Sequence, residues 1–509
     1  MRSVSIGRDA LHVVDAQQFY DFLCDEIAAD PWFTVAGPPI ADLMALERLR
    51  APAAGRARPA ASERGAAPAV TLPPDAPLEE IVRTLWMTRR DIVSDGYDAG
   101  LAALATQVPM HIHEYPTGTE CFTWIVPEKW TCHEAWLETL EGRRLISYAD
   151  HPLHAVSYSL PFDGIVTRDE LMRHLHVHPL LPGAVPFIFK YYERDWGLCC
   201  SQRLRDSLTD AHYRVRIRTS FTYGTLKVGE VVVPGRTNET IVLAAHLCHP
   251  GMANDDLSGV AVGIGVIREL LRAPARRYTY RLLILPETIG SLAYLSDHQS
   301  LVPRMKAGLF LEMLGLENPH ALQLSMTGDT DADACFVSAL RRHDPSGWTG
   351  PYRTLLGNDE RQFNAPGVRV PMLSLMRVLR PDAPDYPYRE YHSSDDTPAI
   401  VSPARLAESR DLVLRMIDEL ESSRVPINRF AGELCCSRYG VHINWYSDPD
   451  GHRDMFAVLD LVDGTHSIAQ IAQATGQSAE VVTRVLDQLE ARGLIDYGEG
   501  GNRSGEVIS

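Results

Sequence analysis

The residues best suited to chemistry lie in one run, 241–259, which reads I-V-L-A-A-H-L-C-H-P-G-M-A-N-D-D-L-S-G. Its first five residues are apolar and typical of a buried parallel strand. Two histidines, His246 and His249, then occur within eleven residues of the carboxylates Asp255 and Asp256. A lone histidine is more often a hydrogen-bonded core residue, but imidazoles combined with carboxylates are the ligand set of zinc-type ions. This run therefore predicts a metal site.

Three further acidic or imidazole side chains follow strand-like runs later in the chain. Glu287 follows R-L-L-I-L-P, Glu312 ends G-L-F-L-E, and His392 comes shortly after P-M-L-S-L-M. Open α/β sheets bind their ligands outside the carboxyl ends of the strands. We therefore expect these three residues to meet His246 and Asp255 at one edge of a sheet.

The elements that must position these residues alternate between strands and helices. Helices are predicted at about 257–272 and 404–422, between and after the four strand-like runs. This alternation predicts an α/β fold with a mostly parallel mixed sheet flanked by helices. Ahead of these runs, the segments 213–221 and 225–233 predict a hairpin-like pair of strands.

Five short motifs in this order resemble those of a known family. The chain reads A-H-L-C, N-D-D-L-S-G, E-T-I-G-S, L-E-M-L-G and Y-H-S-S-D-D-T. The family reads approximately A-H-x-D, N-D-N-A-S-G, E-E-x-G-L-x-G-S, L-D-M-x-G and Y-H-T-x-x-D-T. It comprises the zinc aminopeptidases related to bacterial leucine aminopeptidase, glutaminyl cyclase and glutamate carboxypeptidase. The chain is most similar to a branch of aminopeptidase-like proteins with an inserted β domain and a C-terminal winged helix, over roughly residues 80–500.

The resemblance implies a role for each matching residue. Asp255 corresponds to the aspartate that bridges two zinc ions, and His246 and Glu312 correspond to ligands of one of them. His392 corresponds to a ligand of the other ion. Glu287 corresponds to the general base, because the glycine three residues later aligns it with the first glutamate of the family's pair. In such sites a metal-bound water has a pKa of about 7, and a nearby carboxylate passes its proton to the leaving amine.

Two departures from the family pattern affect the expected number of zinc ions. Thr288 stands where the family has a second, metal-binding glutamate, so one site lacks a ligand. Cys248 replaces the aspartate that orients the first histidine. His249 is an additional histidine, which either repairs the weakened site or replaces His246 as the ligand. We expect one tightly bound zinc ion, and the binding of a second is left open.

Candidate substrate-binding residues lie in and near the polar loop G-N-D-E-R-Q-F-N-A-P-G, residues 357–367. The family holds the free α-amine of its substrate with loop acids, a role open here to Asp359 or Glu360. Arg361 or Arg377 could instead bind a carboxylate, which would favour a small acidic or peptide-like amide. A structural or surface ion pair is an equally good interpretation of each of these four residues.

The chain is long enough for about three domains. An Ala, Pro, Arg and Gly-rich stretch has too few apolar residues to form a core and is predicted to be disordered. With the resemblance, the predicted organisation is a helical appendage at 1–50, this disordered linker at 51–77, an aminopeptidase-like α/β domain at 78–111 and 181–430, an inserted β domain at 112–180, and a winged helix at 440–500.

Charge bears on partners and location. The chain has 49 Lys and Arg against 66 Asp and Glu, a formal net charge of −17, which argues against nucleic acid or an anionic membrane as the main partner. Residues 452–509 contain four arginines, no lysine and nine acids. A DNA-binding winged helix needs several basic phosphate contacts, so a protein-contact or homodimerisation module is favoured. No membrane span or signal-peptide core is recognised, and we predict a cytoplasmic protein.

These observations predict a zinc-dependent metallohydrolase of amide bonds, most similar to an aminopeptidase. The expected substrate is a small peptide or peptide-like metabolite, for example in a biosynthetic pathway. A second hypothesis is a peptidase-like binding or scaffold protein with a decayed metal site, which would work through its winged helix. Thr288 supports that hypothesis, whereas the presence of the other ligands and of Glu287 opposes it. A third, a cyclase-type transferase like the glutaminyl cyclases, is disfavoured because those enzymes need the acid that Thr288 replaces.

Overall fold

The computed structural model describes residues 70–498. The predicted appendage at 1–50 lies outside these residues, as do residues 51–69 of the predicted linker and residues 499–509. None of the helices within 70–498 combines the length and the apolar character that crossing a bilayer requires.

Strands and helices alternate along most of the described chain. The strands are β1 His111–Pro116, β2 Glu120–Cys121, β3 Trp124–Ile125, β4 Lys129–Thr139, β5 Arg144–Ser147, β6 Phe162–Thr167, β7 Leu175–His176, β8 Leu198–Cys199, β9 His212–Thr222, β10 Thr225–Val233, β11 Thr240–His246, β12 Thr279–Leu285, β13 Met305–Glu312, β14 His320–Gln323, β15 Trp348–Gly350, β16 Met372–Arg377, β17 Val425–Asn428 and β18 Ile495–Gly498. The helices are α1 Leu78–Leu85, α2 Asp95–Leu104, α3 Arg168–His174, α4 Gln202–Asp206, α5 Gly259–Arg272, α6 Ile289–Asp297, α7 Asp331–His343, α8 Glu360–Asn364, α9 Pro403–Ser422, α10 Cys436–Tyr439, α11 Pro449–Leu459, α12 Ile468–Thr475 and α13 Ala479–Glu490.

A mixed sheet of eight strands is the centre of the fold. Its order is β1-β10-β12-β11-β13-β16-β14-β15. The four strands β12, β11, β13 and β16 run parallel to one another, and antiparallel pairs flank them on both sides. The predicted α/β class with a mostly parallel mixed sheet is confirmed.

Strand β11 is buried along its whole length because both faces of the sheet are covered. On one face, Ile241 and Leu243 belong to a core that includes apolar residues of α5 and α9. On the other face, Val242 and Ala244 belong to a core that includes residues of α6 and of a second, smaller sheet. Successive side chains of a strand point to opposite faces of the sheet, so this one apolar run contributes to two cores.

The smaller sheet is antiparallel and has the order β5-β4-β9-β6. The predicted hairpin-like pair at 213–221 and 225–233 is therefore wrong. Strand β9 pairs with β4 and β6 in this sheet, whereas β10 pairs with β1 and β12 in the large one. Adjacent β-prone runs predict strands but not their partners, because pairing depends on distant segments. The boundaries of the inserted β domain remain a prediction.

The predicted disorder is wrong for residues 70–77, which pack on the main core. Leu72 and Ala76 are buried in the core that also contains α1 and α5. The Ala76 N–H donates to Gln107 Oε1 at 3.0 Å, and Gln107 Nε2 donates to the carbonyl of Pro73 at 3.1 Å. A few apolar residues and a polar anchor are enough to order this proline-rich stretch.

Residues 425–498 contain the helices α10–α13 and a small antiparallel pair, β17 and β18. Apolar residues of α11, α12 and α13, among them Val458, Ile471 and Leu486, form a core of their own. The strand that follows these helices, β18, pairs with β17 from the preceding segment. The assignment of this region as a winged helix remains a prediction.

Candidate functional site

The predicted site residues meet where the parallel strands end. Strand β11 ends at His246 and β13 at Glu312, while Glu287 follows β12 by two residues. His392 lies in the loop after β16. These four strands are neighbours in the sheet, so their carboxyl ends lie together at one edge of it. We call the residues gathered there the Asp255 cluster: His246, His249, Asp255, Glu287, Glu312 and His392.

Asp255 contacts three histidines. Its Oδ1 lies 3.1 Å from His246 Nε2 and 3.3 Å from His249 Nδ1. Its Oδ2 lies 3.1 Å from His392 Nε2. Asp255 also belongs to two groups of candidate ligands whose donor atoms lie within 4.8 Å of one another. One group is His246, Asp255 and Glu312, and the other is His249, Asp255 and His392. A shared carboxylate of this kind is suited to bridging two ions.

The hydrogen bonds of this cluster are incomplete in a way that fits a cation. In this cluster, four buried atoms make no well-aligned hydrogen bond to another residue of 70–498: His246 Nε2, His249 Nε2, Asp255 Oδ2 and Glu312 Oε2. The first three lie 3.1 Å from an ion-pair partner. Buried polar atoms normally have partners, so a group of orphans needs an explanation. All four are imidazole nitrogens or carboxylate oxygens, which are the ligand atoms of zinc. The residues present therefore fit a zinc ion.

Burial and mutual charge set the protonation of the cluster. Burial and the neighbouring His249 lower the pKa of His246, which keeps its imidazole neutral, as a metal ligand must be. Burial alone would lower the pKa of His249, but Asp255 and Glu287 outweigh it and raise that pKa to about 10. Burial would raise the pKa of Glu287, and contact with His249 outweighs it and lowers that pKa to about 2. His249 Nε2 lies 3.1 Å from Glu287 Oε2.

Glu312 is held by a residue that sequence reasoning missed. Asn358 Nδ2 donates to Glu312 Oε1 at 2.6 Å, which leaves Oε2 free. Burial, followed by the charges of Asp255 and Glu360, raises the pKa of Glu312 well above its ordinary value. A bound cation would relieve this cost of burying a charge. Asn358 lies in the polar loop already singled out in the sequence, but only the fold shows that it reaches Glu312.

Two further aspartates fix the loop that carries Asp255. Asp256 accepts the backbone N–H groups of His246, Gly259 and Met313, at 3.3, 3.0 and 2.9 Å. It thereby joins the ends of β11 and β13 to the start of α5. Asp396 accepts the N–H groups of residues 253, 254 and 255, and the hydroxyl of Tyr388. The signal for Asp396 was present in Y-H-S-S-D-D-T, where only the histidine had been given a role.

Arg90 is a third supporting residue without a sequence signal. Its side chain is fully buried, and its guanidinium donates to the carbonyls of Leu247, His249 and Met252 at 2.7, 2.8 and 3.1 Å. These carbonyls belong to the loop between β11 and Asp255. The sequence around Arg90 contains no motif that predicts a role at this site, because the partners of Arg90 lie about 160 residues away along the chain.

The structure shows how the two departures from the family pattern are accommodated. Cys248 Sγ lies 3.7 Å from His246 Nδ1 and accepts the Glu287 N–H at 3.1 Å. Burial raises the pKa of this thiol well above its ordinary value, so it stays neutral beside the imidazole. Thr288 belongs to none of the candidate ligand groups within 70–498, whereas His249 belongs to the group that contains His392. His249 also forms a candidate group with His246 and Cys248, so the choice between His246 and His249 as the ligand stays a prediction.

Strained backbone is concentrated at this site. Nine non-glycine residues of the described chain have positive φ, and four of them are His249, Thr288, Met313 and His392. Non-glycine residues adopt this conformation at a cost, and such outliers cluster at active sites. The surrounding hydrogen bonds therefore hold the loops that carry the candidate ligands in backbone conformations that are unfavourable for an isolated chain.

The four predicted substrate-binding residues have structural partners. Asp359 accepts the Thr288 N–H at 2.9 Å and the Ser291 hydroxyl, so it anchors the start of α6 beside Glu287. Glu360 accepts from Gln323 Nε2 and the Asn358 N–H at 3.0 and 2.8 Å. Both acids are fully buried, and burial raises the pKa of each to about 7.

The two arginines point to other partners. Arg361 donates from Nε to the carbonyl of Asn358 at 2.9 Å within its own loop. Arg377 donates to Ser409, to the carbonyl of Asn318 and to Glu408 at 3.0, 2.7 and 2.9 Å, so the structure does not bring it into the Asp255 cluster. Binding of substrate by any of the four remains a prediction.

Aromatic rings line the cluster on its more exposed side. Glu287 and His392 are 26% and 30% exposed, whereas the other four residues of the cluster are almost fully buried. The ring of Phe187 lies edge-on to His249 and to His392, with centroids 4.7 and 5.6 Å apart. Tyr391 stacks on His392 at 3.9 Å. Access to the cluster is therefore past Glu287, His392 and these rings.

Three comparisons show what the chain is similar to. A protein of Clostridium acetobutylicum named "Putative polysaccharide biosynthesis protein with aminopeptidase-like domain" is 32% identical over 413 residues, which cover 80% of this chain and 93% of the relative. A crystal structure of a "putative peptidase" from the same organism superposes with a TM-score of 0.69 at 29% identity, covering 83% of this chain and 96% of the other. BSAP, a zinc aminopeptidase from Bacillus subtilis, is more distant, with 14% identity, a TM-score of 0.49, and coverage of 67% and 94%.

The first of these relatives confirms the predicted resemblance to aminopeptidase-like proteins, because it is similar over most of both chains. A family model described as "Domain of unknown function (DUF4910)" matches residues 79–423. These residues include both sheets and the whole Asp255 cluster. By the family match and by the identity to the relative from Clostridium, the chain belongs to the DUF4910 family of aminopeptidase-like proteins.

Proposed function

We propose that the protein is a zinc-dependent hydrolase of amide bonds that acts on a small peptide or peptide-like metabolite in the manner of an aminopeptidase. The observation that carries the proposal is the pair of ligand groups that share Asp255, with Glu287 beside them on the more exposed side. The aminopeptidase-like domain named for the relative from Clostridium supports the same reaction class. The reaction needs one polarised carbonyl, one water and one proton carrier.

The group His246, Asp255 and Glu312 is the better candidate for a tightly bound zinc ion. It is fully buried and has two carboxylates, whose combined charge matches that of Zn²⁺. The group His249, Asp255 and His392 has only the shared carboxylate, so we expect it to bind a second ion more weakly. Bound zinc would supply Lewis-acid chemistry, polarising an amide carbonyl and making water more acidic.

Glu287 is the residue of this chain placed to move a proton. Its carboxylate is 26% exposed, and contact with His249 favours its ionised form. It would accept a proton from water as the new carbon–oxygen bond forms, and would give it to the nitrogen as the carbon–nitrogen bond breaks. Asp359 holds the backbone of the next residue, Thr288, and so positions Glu287.

A second substrate class is favoured by the name of one relative and by one structural feature. The relative from Clostridium is named for polysaccharide biosynthesis. Phe189 contacts Phe187 beside the cluster, stacks on Tyr191 and is 43% exposed, so it offers a flat apolar surface. Such surfaces suit a sugar ring as well as a peptide side chain. An amide carried on an amino sugar is therefore the alternative to an N-terminal aminoacyl group.

The decayed-site hypothesis is the weaker one for this chain. A protein with a decayed metal site is not expected to retain buried candidate ligand atoms and strained loops together with their supporting residues, Asp256, Asp396 and Arg90. A cytoplasmic location, a role for the C-terminal helices in protein contact or homodimerisation, and the absence of a nucleic-acid partner remain predictions from the composition.

The test is the zinc content of the full-length protein, purified without added metal, with hydrolysis of a panel of aminoacyl chromogenic amides and N-acylated amino sugars. Asp255→Ala is expected to bind one zinc ion fewer than wild type and to lose hydrolysis. Asp411→Ala, an exposed aspartate, is the control and should change neither. Turnover of one substrate class alone would identify the substrate. Equal zinc content in wild type and Asp255→Ala would contradict the proposal.

A further inference from the structure

A second group of candidate ligands lies at the far end of α6, outside the Asp255 cluster. His113 is on strand β1, Asp297 is the last residue of α6, and His298 follows it. Each offers a ligand atom within 4.8 Å of the other two. We call these three residues the α6 cluster. The rings of His113 and His298 meet edge-on with their centroids 4.7 Å apart. Sequence spacing did not show this group, because its histidines are 185 positions apart in the chain.

Each imidazole of the α6 cluster has one nitrogen engaged. His113 Nε2 lies 3.0 Å from Glu230 Oε2, and this carboxylate is 7% exposed and paired with Arg281. His298 Nδ1 lies 2.9 Å from the carbonyl oxygen of Tyr294. A carboxylate and a carbonyl can only accept, so these two ring nitrogens carry the protons. The lone pairs are left on His113 Nδ1 and His298 Nε2. Metal-binding histidines have this pattern, with the second nitrogen donating to a carboxylate or a backbone carbonyl.

The surroundings favour a cation. The α6 cluster lies at the C-terminal end of a helix, where the helix dipole stabilises positive charge. The hydroxyl of Tyr115, a residue 6% exposed, lies within hydrogen-bond reach of Asp297. Burial and the nearby charge of Asp297 raise the pKa of this hydroxyl, which places it beside the carboxylate. A stack with Tyr294, with centroids 4.1 Å apart, fixes the ring of His298.

We infer that His113, Asp297 and His298 form a second binding site for a divalent zinc-type cation, separate from the Asp255 cluster. Two imidazoles and one carboxylate are a zinc ligand set, and the 60% exposure of Asp297 leaves room for water to complete the coordination. The two histidines are oriented by hydrogen bonds to the buried Glu230 and to the carbonyl of Tyr294, which distinguishes this site from a random cluster of surface residues. Its affinity should be lower than that of a fully buried site.

The position of this site gives it a structural role. Helix α6 begins directly after Glu287 and Thr288 and ends in the α6 cluster. A cation bound there would tie the end of the helix to β1, an edge strand of the large sheet. The helix that leads from the Asp255 cluster would then be fixed at both ends, by Asp359 at its start and by the cation at its end.

The experiment uses the full-length Asp255→Ala protein, stripped of metal by a chelator and titrated with Zn²⁺ alone. Removing Asp255 eliminates the ligand shared by both groups of the other cluster. We expect about one equivalent of zinc to remain bound after dialysis and the unfolding temperature to rise with zinc. Adding Asp297→Asn or His113→Ala should abolish both effects. Adding His133→Ala, which removes an exposed histidine of β4, should leave both unchanged.

Replacement of zinc by Co²⁺ gives a readout that does not depend on stability or activity. Visible absorption of bound cobalt should be present in Asp255→Ala and absent once Asp297→Asn is added. The exposed Asp297 makes loss of folding a poor explanation for loss of binding in that variant. Retention of zinc and cobalt after Asp297→Asn and His113→Ala, or no binding by Asp255→Ala at all, would overturn the inference.

Discussion

The Asp255 cluster and the α6 cluster use the same side-chain types in different surroundings. In the first, four of six residues are almost fully buried, and several buried polar atoms make no well-aligned hydrogen bond within the described chain. In the second, each histidine is partly exposed and the only carboxylate is 60% exposed. The first is built at the carboxyl ends of four parallel strands, and the second at one helix end and one edge strand.

The difference shows what separates a reactive site from an anchoring one. A buried, charge-rich group pays a large desolvation cost unless a cation is bound, and its few exposed atoms are available to a substrate. A half-exposed group loses little without its cation. The same ligand types are therefore expected to serve chemistry in the first case and stability in the second, and the following changes test that contrast.

The largest effect is expected for Glu287→Gln. The amide cannot accept a proton, so hydrolysis should fall by roughly 10²–10⁴-fold, while zinc content stays at the wild-type value. The measurement is kcat/KM on the best substrate together with metal analysis, with Glu269→Gln, whose side chain is 45% exposed, as the control. Loss of zinc from Glu287→Gln would make this residue a ligand and not a base.

A smaller effect is expected for Asn358→Ala. The change removes the donor to Glu312 and leaves Oε1 of that buried carboxylate without a partner. Loss of such a supporting contact typically weakens metal affinity by about 10–100-fold, and we expect this range in competition with a zinc chelator. Asn238→Ala, at an exposed position, should keep wild-type affinity. Unchanged affinity in Asn358→Ala would show that the hydrogen bond from Asn358 does not support metal binding.

The smallest effect is expected for Glu230→Gln, which tests the anchor behind the α6 cluster. Burial would raise the pKa of Glu230, but hydrogen bonds from His113 and Tyr294 and the charge of Arg281 outweigh it and lower that pKa to about 2. The stabilisation is therefore complete above the ordinary glutamate pKa and is lost as the pH falls through about 2. At pH 7 we expect the variant to be less stable by ~2 kcal/mol.

Urea unfolding of wild type and Glu230→Gln at a series of pH values measures this difference. The two curves of unfolding free energy against pH should converge as the pH falls from about 5 towards 2. A gap that stays constant over this range would mean that the carboxylate charge of Glu230 contributes nothing.

Sequence reasoning predicted the sheet, and the convergence of the candidate ligands at its edge, because both depend on local signals. Apolar runs followed by His246, Glu287 and Glu312 needed only the rule that parallel strands end at one edge. Arg90 and Asn358 had no such signal, and Asp396 lay in the motif Y-H-S-S-D-D-T without a predicted role. All three act through hydrogen bonds to segments distant in the chain: Arg90, Asn358 and Asp396. From the sequence alone, each of these polar residues could equally have been a surface residue.

The sequence-based predictions were wrong where a segment had more than one possible packing or pairing partner. The apolar residues Leu72 and Ala76 were too few to predict order in a proline-rich stretch, yet a core was available for them. Strand β9 was assigned to its neighbour in the sequence, whereas β4 and β6 provide its pairing. The α6 cluster could not be foreseen, since His113 and His298 are brought together by the docking of α6 on β1.

The bonds from Asp396 to residues 253, 254 and 255 span about 140 residues of chain. Contacts of such separation form only after the intervening segments have folded, because closing a long loop costs entropy that later contacts must repay. The loop that carries Asp255 thus gains its final conformation late, when the segment after β16 arrives. During refolding, high-affinity zinc uptake should therefore coincide with completion of the domain and not with formation of its first strands.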